Sequence, residues 1–297
     1  MTVHILEADN IDFRYIDGTK ALKNLSMQIP WGKKIAVVGK NGAGKTTLFL
    51  HFNGVNRPEK GRILLKGRAL EYGTRSLKEL RKTVGIVFQD PDNQLFSASV
   101  YQDVSFGPLN LGWPEDRVRA KVAEALEKTG TWALRDKPVH FLSQGQKKRV
   151  AIAGVLAMEP EVILLDEPTS SLDPFYSGQI MALLDEFNQG GATVMISSHN
   201  IDEVFAWADY VFVMNDGQAI AQGHPQDVLS DEAALMRANL FKPWVLEMYQ
   251  GMLAAGMIPP QPVVPRTREQ IIGLLGQFGK EQTIIGIRVQ EVNNYEF

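Results

Sequence analysis

The rhythm of apolar and polar positions changes several times along the chain, and each change predicts an element. Ile11-Asp12-Phe13-Arg14-Tyr15 alternates apolar and polar residues, and Asp17-Gly18 behind it is a hairpin signal. Residues 1–30 therefore read as short antiparallel strands. Four later runs are almost wholly apolar: Lys34-Ile35-Ala36-Val37-Val38, Ile86-Val87-Phe88, Val162-Ile163-Leu164-Leu165 and Thr193-Val194-Met195-Ile196. That pattern fits strands of a parallel sheet covered on both faces. Val211-Phe212-Val213-Met214 and Gln218-Ala219-Ile220-Ala221 flank Asn215-Asp216-Gly217, a hairpin that closes the sheet.

Helical spacing appears over residues 117–129, where Val118, Val122, Ala125 and Leu126 fall at i, i+4, i+7 and i+8 and Gly130 supplies the C-cap. The expected organisation is an α/β core over residues 1–230 with a helical subdomain near 90–150. No repeat of 20–50 residues is present. Residues 231–297 form a C-terminal extension of different character. Residues 231–256 read as helical, and Ile258-Pro259-Pro260-Gln261-Pro262-Val263-Val264-Pro265 reads as a stiff extended linker. Thr267 with Gln270 resembles a capping box opening a short helix through Phe278. Residues 280–297 carry no readable functional signal.

Composition narrows the classes. With 44% hydrophobic residues and a net charge of -3, a packed core is expected and bulk electrostatic binding to nucleic acid or lipid is not. The absence of cysteine excludes a disulfide scaffold and thiolate metal sites. No apolar run approaches the ~18–20 residues of a membrane-spanning helix, and the first residues lack the pattern of a signal peptide.

The strongest local chemistry is Gly39-Lys40-Asn41-Gly42-Ala43-Gly44-Lys45-Thr46-Thr47, placed between a buried strand and a helix. This is the P-loop pattern: glycines turn backbone N–H groups around phosphate oxygens, Lys45 adds a point charge, and Thr46 offers a hydroxyl to Mg²⁺. Asp166-Glu167 ends another buried strand, where open α/β sheets bind ligands. Asp166 suits a Mg²⁺-holding carboxylate and Glu167 a proton acceptor for water. Ser143 with Gln146 forms a capping box, and the same helix N-terminus can bind an anion; residue chemistry leaves both open. Taken alone, His199 reads as a structural histidine and Gln89 as a surface amide. Lys147-Lys148-Arg149 reads as a solvated helix face rather than a nucleic-acid patch.

Taken together and in order, the P-loop, Gln89, Leu142-Ser143-Gln144-Gly145-Gln146, Asp166-Glu167, Ser171-Leu172-Asp173 and His199 resemble an ABC-type ATPase over roughly residues 3–230. One departure is Gln144, where many members have glycine. The resemblance implies an α/β P-loop NTPase core with an N-terminal antiparallel β subdomain, a helical subdomain and a small C-terminal extension. It also implies a head-to-tail dimer in which each ATP lies between one P-loop and the other chain's signature. Tyr15 would stack on adenine; Gly39 to Thr47 would hold phosphates, with Thr46, Gln89 and Asp166 on Mg²⁺. Ser143, Gly145 and Gln146 would reach the γ-phosphate across the dimer. Glu167 would polarise water, Asp173 would link the sites, and His199 would steady the γ-phosphate.

A finer resemblance lies in Val84 to Phe96, Asp103 to Gly112, His51-Phe52-Asn53-Gly54 and Lys147 to Met158. These look like the ATPase of energy-coupling-factor importers of the cobalt or nickel uptake type. That implies a peripheral protein on the cytoplasmic face of the membrane, partnered by a transmembrane coupling protein and a substrate-binding membrane protein. The region after Gln89 would form the groove for the coupling protein, and the extension would support dimerisation. The paired ATPase would be identical, with a heterodimer as alternative. The competing expectations are a vitamin importer or a soluble ABC ATPase such as an Fe–S assembly factor.

Overall fold

The computed structural model describes residues 4–277, so the reading of residues 280–297 and the Phe278 end of the last helix lies outside the described residues. In chain order the elements begin with β1 (His4–Arg14), β2 (Lys20–Pro30), β3 (Lys34–Val38), α1 (Lys45–Phe52), β4 (Lys60–Leu65), β5 (Arg68–Ala69) and α2 (Thr74–Thr83). There follow β6 (Val84–Val87), α3 (Val100–Asn110), α4 (Glu115–Lys128), α5 (Gln144–Leu156), β7 (Val162–Asp166), α6 (Pro174–Gln189), β8 (Thr193–Ser198) and α7 (Ile201–Trp207). The last are β9 (Tyr210–Asn215), β10 (Gln218–Gly223), α8 (Pro225–Val228), α9 (Glu232–Arg237) and α10 (Trp244–Ala254).

Two sheets organise these elements. An antiparallel sheet runs β2-β1-β4-β5, and a six-stranded sheet runs β10-β9-β3-β8-β7-β6. In the second, β6, β7, β8, β3 and β9 are parallel and only β10 is antiparallel, paired to β9 across the expected hairpin. All five residues of β7 are buried, as its unbroken apolar run requires. Each such aliphatic side chain contributes about 1.5–3 kcal/mol by leaving water.

The N-terminal strands are longer than expected. β1 and β2 span 11 residues each and stay paired through several register shifts. Asn10 takes φ 50 in one of these irregularities, which breaks the alternation and hides the strand's length from a period-two reading. Helix α4 agrees with its pattern: Val118, Val122, Ala125 and Leu126 are its buried residues, and Gly130 follows at φ 62. With α3 and α5 it encloses a small separate cluster that includes Val104, Leu142, Val150 and Ala157.

Residues 231–256 are helical in two pieces, Glu232–Arg237 and Trp244–Ala254, the second starting just after Pro243. The extension differs from its sequence reading at the linker. Residues 258–265 are not a free linker. Ile258 is buried in the main core, and Gln261 N donates to the Tyr249 hydroxyl at 2.9 Å. Behind them the Arg266 guanidinium donates to Phe205 O at 2.6 Å and to Ala208 O. Leu235, Val245, Leu246, Tyr249, Met252 and Ile271 join the same cluster as Ile163 and Val194, so the described extension shares one core with the large sheet. The Thr267–Gln270 box is present, with Gln270 N donating to Thr267 Oγ1 at 3.4 Å and Thr267 N to Gln270 Oε1 at 3.2 Å.

Candidate functional site

The P-loop leaves β3, the central strand of the large sheet, and enters α1. Only glycine fits at its two closest backbone approaches. At Gly39 a Cβ would lie 2.2 Å from Met214 O, and at Gly44 it would lie 2.8 Å from Ala21 O; both have positive φ. Helix α1 starts at Lys45 with no side-chain cap and no acidic residue in its first turn. Its free amides and positive dipole end are therefore left for an anion.

A cavity of about 380 Å³ opens there, lined by Tyr15, residues 41–47, Gln89, Asp166 and Glu167, among others. Lys45 is buried, and its ammonium donates to Gly39 O at 2.7 Å and Lys40 O at 3.2 Å. Burial pushes its pKa down, and the charges of Glu167 and Asp166 pull it back up. Lys40 does not face the cavity with its charge: its ammonium pairs with Asp216 at 3.0 Å. The Tyr15 hydroxyl is 2.9 Å from Thr47 Oγ1, and its ring packs edge-on to Phe13.

Asp166 and Glu167 stand where β7 ends beside β8, with Asp166 in register with Ser197. Thr46 Oγ1 and Ser197 Oγ donate to the two oxygens of Asp166. Glu167 is nearly buried with φ 51, and its N–H donates to Ser197 Oγ at 3.1 Å. A non-glycine residue in the left-handed region is uncommon and worth about 1–2 kcal/mol of strain. Here it aims the carboxylate so that Oε2 lies 2.8 Å from His199 Nδ1. His199 itself is exposed.

Ser143, Gly145, Gln146 and Asp173 are not among the residues lining this cavity. Ser143 and Gln146 form the full capping box of α5, with Gln146 N donating to Ser143 Oγ at 3.3 Å and Ser143 N to Gln146 Oε1 at 3.1 Å. Asp173 caps α6 by accepting from Tyr176 N at 3.0 Å. At Gly145 a Cβ would lie 3.2 Å from the Leu172 side chain, next to Asp173.

The expectation of a solvated face at Lys147-Lys148-Arg149 is wrong. Lys148 is 2% exposed and Arg149 6%, and only the Lys147 side chain reaches the surface, paired to Asp92. Arg149 donates to Thr129 O and Gly130 O and lies over the Tyr176 ring at 4.0 Å. Lys148 donates to Phe88 O at 3.2 Å and Gln89 O at 2.6 Å, and burial pulls its pKa down to about 8 against the charges of Asp166, Glu167 and Asp90. Charge runs mislead here because α5 lies between the helical subdomain and the sheet, where carbonyl acceptors await the ammonium and guanidinium.

Two residues escaped sequence reading. Ser197 bonds both acidic residues, and its signal was its register opposite Asp166 at the end of the neighbouring strand. Asp216, read in sequence only as part of the β9–β10 turn, anchors Lys40, a pairing that nothing in the sequence alone signals.

Residues 22–170 match the family described as ABC transporter. A putative ABC transporter ATP-binding protein of Methanosarcina mazei is 50% identical over 253 residues; these are 85% of this chain but 56% of that protein, so the chain spans little more than half its length. The energy-coupling factor transporter ATP-binding protein EcfA of Methanocaldococcus jannaschii is 49% identical over 257 residues, 86% of this chain and 92% of that one. Among solved structures, cbiO1 from Clostridium perfringens, described as part of the ABC transporter complex cbiONQ, matches with a TM-score of 0.70 at 49% identity. It covers 84% of this chain and 100% of its own. Among the described residues, no helix is long and apolar enough to cross a membrane.

Proposed function

This chain belongs to the ABC transporter ATPases, in their energy-coupling-factor branch, whose activity is ATP hydrolysis coupled to transport; from that premise we propose that it drives import of cobalt or nickel ions. It works as a dimer, peripheral to the cytoplasmic face of the membrane, under a transmembrane coupling protein and a substrate-binding membrane protein. Residues 1–230 serve as the nucleotide-binding domain, with the helical subdomain near 90–150, and residues 231–297 support the dimer.

The observation that carries the hydrolytic reading is the Glu167–His199 pair, 2.8 Å apart, with Glu167 lining the P-loop cavity. The uncapped α1 amides and Lys45 hold the β- and γ-phosphates of ATP. Thr46 Oγ1, the Asp166 carboxylate and Gln89 line the cavity as hard oxygen donors, a set that fits Mg²⁺. When bound, Mg²⁺ neutralises charge on the phosphate oxygens. Glu167 orients the attacking water and takes its proton, while His199 holds that carboxylate in place and faces the γ-phosphate. Tyr15 receives the adenine.

The dimer is supported by what the cavity lacks. Ser143, Gly145 and Gln146 sit at the N-terminus of α5, outside the lining of their own chain's cavity, so a second copy supplies them to the γ-phosphate, with Asp173 between the two sites. A groove of about 750 Å³ between α2, α3 and α5 is lined by Leu77, Leu95, Phe96, Phe106 and Met158. Its apolar wall suits helices of the coupling protein. The metal reading rests on the resemblance over residues 84–96 and 103–112 and on the likeness to cbiO1.

The test is purification of the tagged full-length chain from detergent-solubilised native membranes, with identification of co-purifying proteins and of the ion taken up. Co-purification of a coupling protein and a metal-binding membrane protein supports the proposal. Recovery only in the soluble fraction, with Fe–S or nucleic-acid factors, overturns the importer and leaves the ATPase.

A further inference from the structure

Helix α5 carries a buried lysine that the hydrolytic scheme does not use. A buried ammonium is retained only where acceptors satisfy its protons, and Lys148 finds them on one short stretch, the carbonyls of Phe88 and Gln89. That stretch leaves β6 and carries Gln89 to the edge of the nucleotide cavity.

Two more donors from the first turn of the same helix reach the same segment. Gln144 Nε2 donates to Asp92 Oδ2 at 2.9 Å, and Lys147 Nζ donates to Asp92 Oδ1 at 2.5 Å. On the segment's own side, Phe88 N donates to Gln94 Oε1 at 3.1 Å and Asp92 N to Asp90 Oδ1 at 3.0 Å. The clasp also accounts for the departure at Gln144, since a glycine there has no donor for Asp92. The buried lysine and the exposed clasp fasten residues 88–92 to the helix whose N-terminus bears Ser143 and Gln146.

We propose that Lys148 is a positioning residue for Gln89: it ties the main chain of Phe88 and Gln89 to the signature helix, so that Gln89 and the signature move as one unit. Gln89 then enters the cavity in step with engagement of the partner copy's nucleotide by Ser143. This rests on the assignment of Gln89 to the nucleotide site.

The experiment measures kcat, ATP affinity and Tm on the full-length chain purified with its membrane partners, for K148M, K148Q, Q89A and K148M/Q89A. Methionine keeps the length of the stem and removes the donors, while glutamine keeps a donor. The expected pattern is an about tenfold loss of kcat in K148M with ATP affinity within about twofold, and recovery to within about threefold of wild type in K148Q. In the Q89A background, K148M should change kcat by less than about twofold, because coupled residues are non-additive. Equal proportional losses in both backgrounds would overturn the proposal, as would K148Q failing as badly as K148M with the same fall in Tm. If Q89A alone leaves kcat unchanged, the assignment of Gln89 is what fails, and the proposal falls with it.

Discussion

His199 Nδ1 lies 2.8 Å from Glu167 Oε2, joining the ends of β7 and β8 through two side chains 32 residues apart. The strands place them: Asp166, the last residue of β7, pairs in register with Ser197, so Glu167 follows directly and His199 follows one residue later, after Ser198 ends β8. The Glu167 backbone is left-handed, at φ 51, where its carboxylate meets the histidine.

That contact predicts the consequence of losing the imidazole. His199→Ala should lower kcat about 100-fold, in the range of general acid–base contributions, while leaving Tm almost unchanged because the ring is exposed. Steady-state ATPase assays and thermal melts check both parts. A fall in Tm matching the fall in kcat would contradict the role.

Ser197 carries a stability prediction. Its hydroxyl serves Asp166 and receives the Glu167 N–H, both at buried positions. Ser197→Ala removes the donor to Asp166 Oδ1, while the Glu167 N–H keeps the Ser197 carbonyl at 3.3 Å, and should destabilise the chain by about 1–3 kcal/mol. Denaturant unfolding measures it, and a change under about 0.5 kcal/mol, typical of surface substitutions, contradicts it.

Much of this arrangement was legible in sequence. The buried strands β3, β7 and β8 announced themselves as short apolar runs, and the P-loop and Asp166-Glu167 followed from where those runs stop. The β9–β10 hairpin followed from Asp216-Gly217. What was not legible came from tertiary packing. The bulges of β1 disguise its period, and the charges of Lys148 and Arg149 look solvated until the sheet and Tyr176 are placed against them. Residues 258–265 look like a linker by proline content alone, yet Ile258 is anchored in the core. Ser197 is an ordinary strand residue until its register with Asp166 is known.

The proposed composite site makes a prediction about mixtures. A chain with Lys45→Ala and a chain with Ser143→Arg should each be inactive. In a mixed dimer, one site combines both defects and the other has an intact P-loop and an intact signature. Co-expression of the two differently tagged chains should therefore restore measurable ATPase activity to the isolated mixed dimer. Activity no greater than that of either parent would place the whole site within one chain.

The charged network beside α4 predicts a pH effect. Glu159 is held below the ordinary range of a glutamate first by its hydrogen bond with Lys121 and then by Arg117. A carboxyl depressed in the folded state adds stability above its unfolded pKa and loses it as pH falls through the folded one. Glu159→Gln should therefore be less stable than wild type at pH 7, with the difference shrinking at pH 4. Paired denaturation midpoints at the two pH values decide it, and a difference that grows on acidification contradicts it.

The most direct test of the hydrolytic assignment is Glu167→Gln, measured for ATP binding and for turnover in the same preparation. Glutamine keeps the size of the side chain and removes the base. If Glu167 is the base, ATP binds as in wild type and turnover is abolished; hydrolysis near the wild-type rate would show that another group activates the water.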